Sequence, residues 1–367
     1  MKTLTAKFQN MKKTTKSNLV TFAIVIVAYI IMSILSSLGV LSSLMQGLLV
    51  PLCTYVIMAV SLNLTVGILG ELSLGHAGFM CVGAFASAFF TKCTADVITW
   101  TPIRFVIAIL VGALAAALCG FLVGIPVLRL KGDYLAIVTL AFGEIIKNII
   151  NALYIGKDSK GFHFSTESFL DLNLEADGVM IINGPQGITG TSKDSSFTIG
   201  IILVLITFFI VLNLVQSRSG RAIMSIRDNS IAAESVGINL TKYKLMAFTI
   251  SASLAGVAGV LYAHNLSTLV ASPKNFGYNM SIMILVYVVL GGIGNMRGSM
   301  FAAILLYLLP ELLRGLADYR MLIYAIVLII VMIFNWNPTC RELRKKYSLQ
   351  NLIKKIFKKN IDTKEVN

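Results

Sequence analysis

The chain has 367 residues, 56% of them hydrophobic and only 13% charged, with a formal net charge of +14. Soluble domains carry roughly 25% charged residues, so this composition excludes an ordinary soluble enzyme and specifies a polytopic membrane protein. The positive balance would suggest nucleic acid in a soluble protein, but here the basic residues gather at the two ends and in one interior segment, and no nucleic-acid partner is expected.

Residues 1–18 form a basic N-terminal segment with Lys2, Lys7, Lys12, Lys13 and Lys16 and no acid. No charged residue then occurs from Leu19 to Gly70, nor in the later runs Leu245–Pro273, Asn275–Met296 and Met321–Cys340. Each run reaches the roughly 20 residues that carry a helix across the hydrocarbon layer. Lipid offers no water to unpaired backbone groups, and continuous apolar runs favour helices over the alternating strands of a barrel. The first run holds two spans, with Pro51 placed near the turn between them. Because its apolar stretch leads straight into another span, the first helix reads as uncleaved and not as a signal peptide.

Helices are predicted at about 19–38, 48–69, 75–92, 103–128, 134–155, 197–216, 246–265, 280–296, 299–316 and 320–337. The fold class is an all-α polytopic bundle of about ten spans, with a transmembrane domain over 19–337 and a basic tail over 338–367. The positive-inside rule puts both ends in the cytoplasm, which an even number of spans requires. Residues 156–196 then fall outside after the fifth span, and their six carboxylates against three lysines suit that side. Residues 217–245 fall inside after the sixth. These assignments make the chain a multi-pass membrane protein.

Polar features interrupt the apolar spans. Gly67–Gly78 sets Glu71, Ser73, Gly75 and His76 among glycines between two apolar runs. Ionisable groups at membrane depth are costly, and glycines free the backbone to meet a solute, so these residues are candidates for a translocation path. The competing reading is a tight cytoplasmic turn with Glu71 solvated. Farther on, Leu128–Tyr134 is a charged turn leading into a helix where Glu144 and Lys147, three apart, share a face and can pair. Glu144 joins the path candidates, with a structural ion pair as the alternative.

Ser217–Lys244 is a compact polar insert with five basic residues against two acidic. Within it, Ile223, Ile226, Ala233 and Val236 recur at helical spacing, Arg227, Asp228 and Glu234 supply polar faces, and Gly237 is placed as a helix stop. Such a segment offers a docking surface to a soluble partner; a solvated connector or a helix lying on anionic membrane lipid would read alike. Gly291–Gly298 permits a tight turn or a broken helix, with Arg297 reaching for the inner interface, and Glu311 and Arg314 repeat the three-residue pairing. Whether Gly67–Gly78 or Gly291–Gly298 is re-entrant stays open.

Nothing catalytic accompanies these features. The five cysteines, Cys53, Cys81, Cys93, Cys119 and Cys340, have no metal or redox spacing, no phosphate-binding loop is present, and the histidines are far apart.

Gly70–Phe79, Leu128–Glu144, Arg221–Asn229 with Ala233–Asn239, and Val289–Gly294, taken in order, resemble the permease subunits of bacterial high-affinity branched-chain amino acid ABC transporters, of the LivM type. The resemblance covers roughly Leu49 to Phe334. It implies a non-catalytic subunit forming half of a translocation pathway, partnered by a second LivH-type permease, two cytoplasmic ATPase subunits and an extracytoplasmic solute-binding protein. ATP and Mg would be bound by the ATPases, leaving no cofactor or metal in this chain. It further implies that the insert carries a coupling helix, with Arg221, Arg227, Asp228, Glu234 and Gly237 matching the loop that contacts the ATPase. Leucine, isoleucine and valine are the implied substrates; similar permeases carry urea, short amides and other amino acids. Two other classes compete: an ion-coupled secondary transporter using Glu71, His76 and Glu144, and a membrane scaffold that merely holds a partner.

Overall fold

The computed structural model describes residues 13–95, 97–130, 132–158, 161–168, 170–172, 174, 178–313 and 319–336. Lys2, Lys7, Lys12, Lys131, Glu175, Asp177, Arg314 and the tail from 338 to 367, with Cys340, lie outside the described residues. The chain divides into two compact units, Met1–Ile304 and Leu305–Asn367.

The first unit begins with α1 (Lys13–Ser37), a turn through Gly39, and α2 (Ser43–Asn63), which widens into a π-helical turn over Leu64–Leu69. The turn between the first two spans lies at 38–42, earlier than expected. Gly39 takes a left-handed φ of 69° and Ser42 caps α2, whereas Pro51 sits inside α2. The helix continues through a residue whose missing N–H leaves one carbonyl unpaired, so the proline is no longer the boundary marker it seemed. Next come α3 (His76–Cys93), α4 (Thr101–Val127) with Pro102 in its first turn, and α5 (Asp133–Ala152).

The all-α expectation needs one correction. The segment after α5 forms a three-stranded antiparallel sheet in the order β2 (Gly161–Ser165), β1 (Tyr154–Asp158), β3 (Val179–Asn183), and β4 (Ile188–Thr189) pairs with β5 (Thr268–Leu269). These strands of two to five residues are too short for alternation to show against the segment's acidic character. Their buried apolar side chains are Ile155, Ile181, Ile182, Ile188 and Leu269.

The chain continues with α6 (Phe197–Gln216), α7 (Arg218–Asp228), α8 (Ser230–Ser235), α9 (Leu240–Ala263), α10 (Pro273–Phe276), α11 (Tyr278–Gly291) and α12 (Met296–Leu312), which crosses the boundary between the units. The second unit holds the end of α12 and α13 (Arg320–Trp336), whose Leu322, Ile326, Ile329 and Ile333 are exposed. Every predicted span coincides with a helix. Among the described residues six of them (α1, α2, α4, α5, α6 and α9) are long and apolar enough to cross a membrane, whereas α11 has 14 residues and α12 and α13 have 17 each.

Alpha4 shows how sequence sets the layering. Ala108, Gly112, Ala116, Gly120 and Gly124, four apart, are buried, while Leu110, Leu114, Leu118 and Leu122 at the same spacing are exposed. Small residues bring helix backbones together where lipid supplies no hydrophobic drive, and leucines meet the tails. The inner stripe lies on α3 and α9, and those two helices touch through glycines: a Cβ built on Gly83 would stand 2.4 Å from Gly256 Cα. The centre of the first unit is therefore α2, α3 and α9, with the span of α2 94% buried and that of α1 only 11%.

Candidate functional site

The polar insert is held in shape by its own side chains. Ser217 Oγ accepts from Gly220 N–H at 3.0 Å and starts α7; Asn229 Oδ1 accepts from Ile231 and Ala232 N–H at 3.1 and 3.0 Å and starts α8; Asn239 Oδ1 accepts from Lys242 N–H at 3.0 Å and starts α9. Each is an N-cap satisfying amides that a new helix leaves free. Asn229 adopts an extended backbone, so the helical spacing read from Ile223 to Val236 is divided between two helices with a break at Asn229. Gly237 takes φ +86° and ends α8, and the N–H of Ile238 returns to Ala233 O at 3.1 Å. That matches the helix stop read from the sequence.

Of the expected apolar face, Ile223, Ile226 and Ala233 are buried, but Val236 is exposed at 74% and Ile231 at 81%. The insert thus presents two uncovered aliphatic side chains on α8 and its end, beside the exposed Glu234 and Gly237. Arg221 is also exposed and donates to Gln216 O at 3.2 Å.

Arg227 behaves differently. Its guanidinium donates to Asp228 Oδ1 at 2.9 and 3.1 Å, and its Nη1 donates to the carbonyl of Gly67 at 2.9 Å, inside the π turn. A π turn shifts the backbone pairing by one residue, and such turns gather at functional sites. Glu71 is just beyond, ion-paired with Lys244 of α9 across 173 residues, both side chains largely buried. On the opposite flank, Asn63 Oδ1 accepts from Gly294 N–H at 2.8 Å and its Nδ2 donates to Ser299 Oγ at 2.7 Å. Gly291–Gly298 is therefore a tight turn between α11 and α12, with Gly292 and Gly294 left-handed. Arg297 is hydrogen-bonded to Thr21 of α1.

From Gly70 the chain runs without helix to Gly75, and α3 starts at His76, which is already buried. His76 Nε2 lies 2.7 Å from Ser61 Oγ, and Ser251 Oγ donates to Ser61 O at 2.6 Å. Leu74 N–H donates to Thr139 Oγ1 at 3.0 Å and Ala77 N–H to Ser281 Oγ at 3.1 Å. Gly75 is pressed against Thr139, where a Cβ would fall 2.2 Å from the carbonyl oxygen. Ser73 is 1% exposed, and its Oγ has no hydrogen-bond partner among the described residues. Irregular backbone of this kind persists among spans only where protein buries it or a cavity lines it.

Glu144 follows Gly143, the residue of α5 on which Gly75 and Gly78 pack, and a Cβ on Gly78 would stand 2.6 Å from Gly143 Cα. Glu144 pairs with Lys147, the partner its spacing indicated, and its Oε1 accepts the N–H of Tyr278 at 2.8 Å, at the start of α11. A carboxylate there balances the positive end of the helix. The structure thus joins Glu71 to the polar insert, joins Gly75 and His76 to the helix core, and sets the half-buried Glu144 next to the α5 residue that packs on Gly75. Asn63 and Lys244 were not singled out from the sequence. Asn63 is the lone carboxamide between Leu49 and Gly70, a signal that was available.

A helical protein with six described helices long and apolar enough to cross a membrane is a multi-pass membrane protein. The family described as branched-chain amino acid transport system / permease component matches residues 44–333, and the chain belongs to it. It is 35% identical over 294 residues to the high-affinity branched-chain amino acid transport system permease protein LivM of Escherichia coli, covering 77% of this chain and 66% of that protein. It is 23% identical to the probable LivM of Methanocaldococcus jannaschii, over 72% of this chain and 80% of the relative. To the LivH permease protein of Salmonella typhimurium it is 25% identical, over 69% and 79%. The chain thus spans just under two thirds of the length of the LivM proteins it matches at 35% identity. No solved structure matches it significantly.

Proposed function

We propose that the chain is the non-catalytic permease subunit of an ABC importer for leucine, isoleucine and valine in the bacterial inner membrane. It forms half of the pathway beside a LivH-type subunit. The observation that carries this reading is the insert of α7 and α8, a capped helix pair that leaves Ile231 and Val236 uncovered next to Glu234 and Gly237. Exposed aliphatic residues on a short, rigid, polar element are what a soluble partner's groove would receive. The partner is a pair of cytoplasmic ATPase subunits, which bind the ATP and Mg; an extracytoplasmic solute-binding protein delivers the substrate. Ten spans with both ends in the cytoplasm complete the topology, and reporter fusions after each helix test it.

The path is assigned to the irregular segment with Ser73, Gly75 and His76 and to the α5 face packed on it, where the Glu144–Lys147 pair is a fixed part of the wall; Glu71 belongs to the link between this segment and the insert. The reading as an ion-coupled carrier finds less support, because both carboxylates it would use hold ammonium partners, Lys244 and Lys147. Uptake of labelled leucine by cells carrying the full transporter is expected to depend on ATP and to survive collapse of the proton gradient. Ile231→Asp should abolish co-purification of the ATPase; if the wild type brings down no ATPase, or the substitution leaves the complex intact, the proposal fails.

A further inference from the structure

We infer that Arg227 is not a contact to the ATPase but the inner half of a transmission joint, by which motion of the α7–α8 insert is delivered to the π turn at Leu64–Leu69. The inference deepens the reading just given and rests on it.

Arg227 lies in the segment whose family resemblance implies partner contact and is itself exposed, yet its guanidinium is engaged within the chain. Its Nη1 reaches the carbonyl of Gly67, 160 residues earlier in the chain. Gly67 sits in the six-residue π turn, where the widened pairing leaves carbonyls available for an outside donor. The fit is close from both directions. Gly70, left-handed at φ +82°, lies against the Arg227 stem so tightly that an added Cβ would be 2.6 Å from Cγ. A second link, Lys244 to Glu71, ties the start of α9 to the residues just past the turn, where Glu71 N–H donates to Thr65 O at 3.1 Å.

The stretch from Arg227 to Lys244 is thus fastened at each of its ends to the π turn or the residues just after it, and the exposed Ile231 and Val236 lie between. On its other flank the turn is held by Asn63 and by the glycine turn of α11 and α12, where a Cβ on Gly67 would stand 2.3 Å from Gly294 N. Beyond it the non-helical segment leads directly to Ser73 and His76. Pulling the insert therefore loads the one non-α segment of α2, and through it the start of α3. A π turn can pass to α-helical pairing by shifting one residue, which gives the discrete second arrangement that a switch needs. The partner biases the switch only if the link transmits a difference between its two states.

Arg227→Met keeps the stem and removes the donors; Gly70→Ala leaves the guanidinium and displaces the stem from the turn's side. Both are tested in the full transporter reconstituted with its ATPase and binding protein, with Ile231→Asp as the docking control. The expected result is that both variants bring down the ATPase as the wild type does, melt as assembled complexes, and hydrolyse ATP at the basal rate. Uptake per ATP should fall about tenfold, the size expected for losing a charge-assisted hydrogen bond that differs between two states. Exchanging the second link as Glu71→Lys with Lys244→Glu should restore uptake that Glu71→Lys alone loses. Normal uptake in both variants overturns the joint. So does loss of the ATPase in Arg227→Met, which would make Arg227 a docking residue like Ile231, and so does loss of the fold in both variants. A wild type that carries no ATPase overturns the underlying reading and the joint with it.

Discussion

Two carboxylates each hold a lysine and end in different kinds of neighbourhood. Glu144 finds its cation three residues away on the same helix and one further partner at the start of α11. Glu71 finds its cation 173 residues away, across the insert. The first pair is set by helical spacing and stabilises one helix and its neighbour. The second exists only when α2 and α9 have packed, so it reports on their relative position. A pair of the first kind suits a scaffold; one of the second kind suits a part that moves.

The comparison breaks most readily at Glu144. Replacing it with leucine leaves Lys147, 5% exposed, as an uncompensated buried ammonium and removes the acceptor of Tyr278 N–H. Orphaning a buried ion in this way costs about 4 kcal/mol. A thermal melt of the purified protein in detergent measures it, and Glu144→Leu with Lys147→Met should recover most of the loss. Glu71→Leu is expected to cost less, about 2 kcal/mol, because the Lys244 stem next to a polar loop can carry its charge toward water. Its larger effect should be on uptake. If the two leucine variants melt alike and transport alike, the distinction between the pairs is wrong. A smaller effect sits at the break between α7 and α8. Asn229→Ala loses two capping bonds, about 1 kcal/mol, and should raise hydrogen exchange in α8 while leaving both carboxylate pairs in place.

The same contrast decides what could be read from the sequence. Charge-free runs of about 20 residues place the helices because backbone hydrogen bonding in lipid permits little else. Gly237 as a helix stop and the pairing of Glu144 with Lys147 were legible for a related reason: each depends on residues within a few positions. Pro51 misled because a single lost hydrogen bond inside a buried helix is tolerated when packing fixes the rest, and the strands after α5 were too short to show a period. The Arg227 link to Gly67 and the pairing of Glu71 with Lys244 could not be read at all. They depend on which helices become neighbours, and apolar spans carry almost no information on that beyond their small residues. The role of Asn63 was half legible: a lone carboxamide in an apolar helix must find partners, but the sequence does not say that Gly294 and Ser299 supply them.

The smallest expected effect is the most discriminating. Periodicity puts Ile223, Ile226, Ala233 and Val236 on one apolar face, and Ile231 between them has no assigned place. Burial divides the insert differently: Ile223 is fully covered and Ile231 and Val236 are not. Ile223→Ala should therefore cost about 3 kcal/mol, as truncation of a core isoleucine does. Ile231→Ala should stay within about 0.5 kcal/mol, as exposed positions do. An uncovered isoleucine that adds nothing to the stability of its own chain has to be explained by something outside it. If Ile231→Ala leaves the melting temperature unchanged and still weakens ATPase binding and uptake together, the apolar tip of α8 acts in assembly alone. If it destabilises the isolated chain as Ile223→Ala does, Ile231 belongs to the fold, and the division of the insert into a buried base and an exposed tip does not hold.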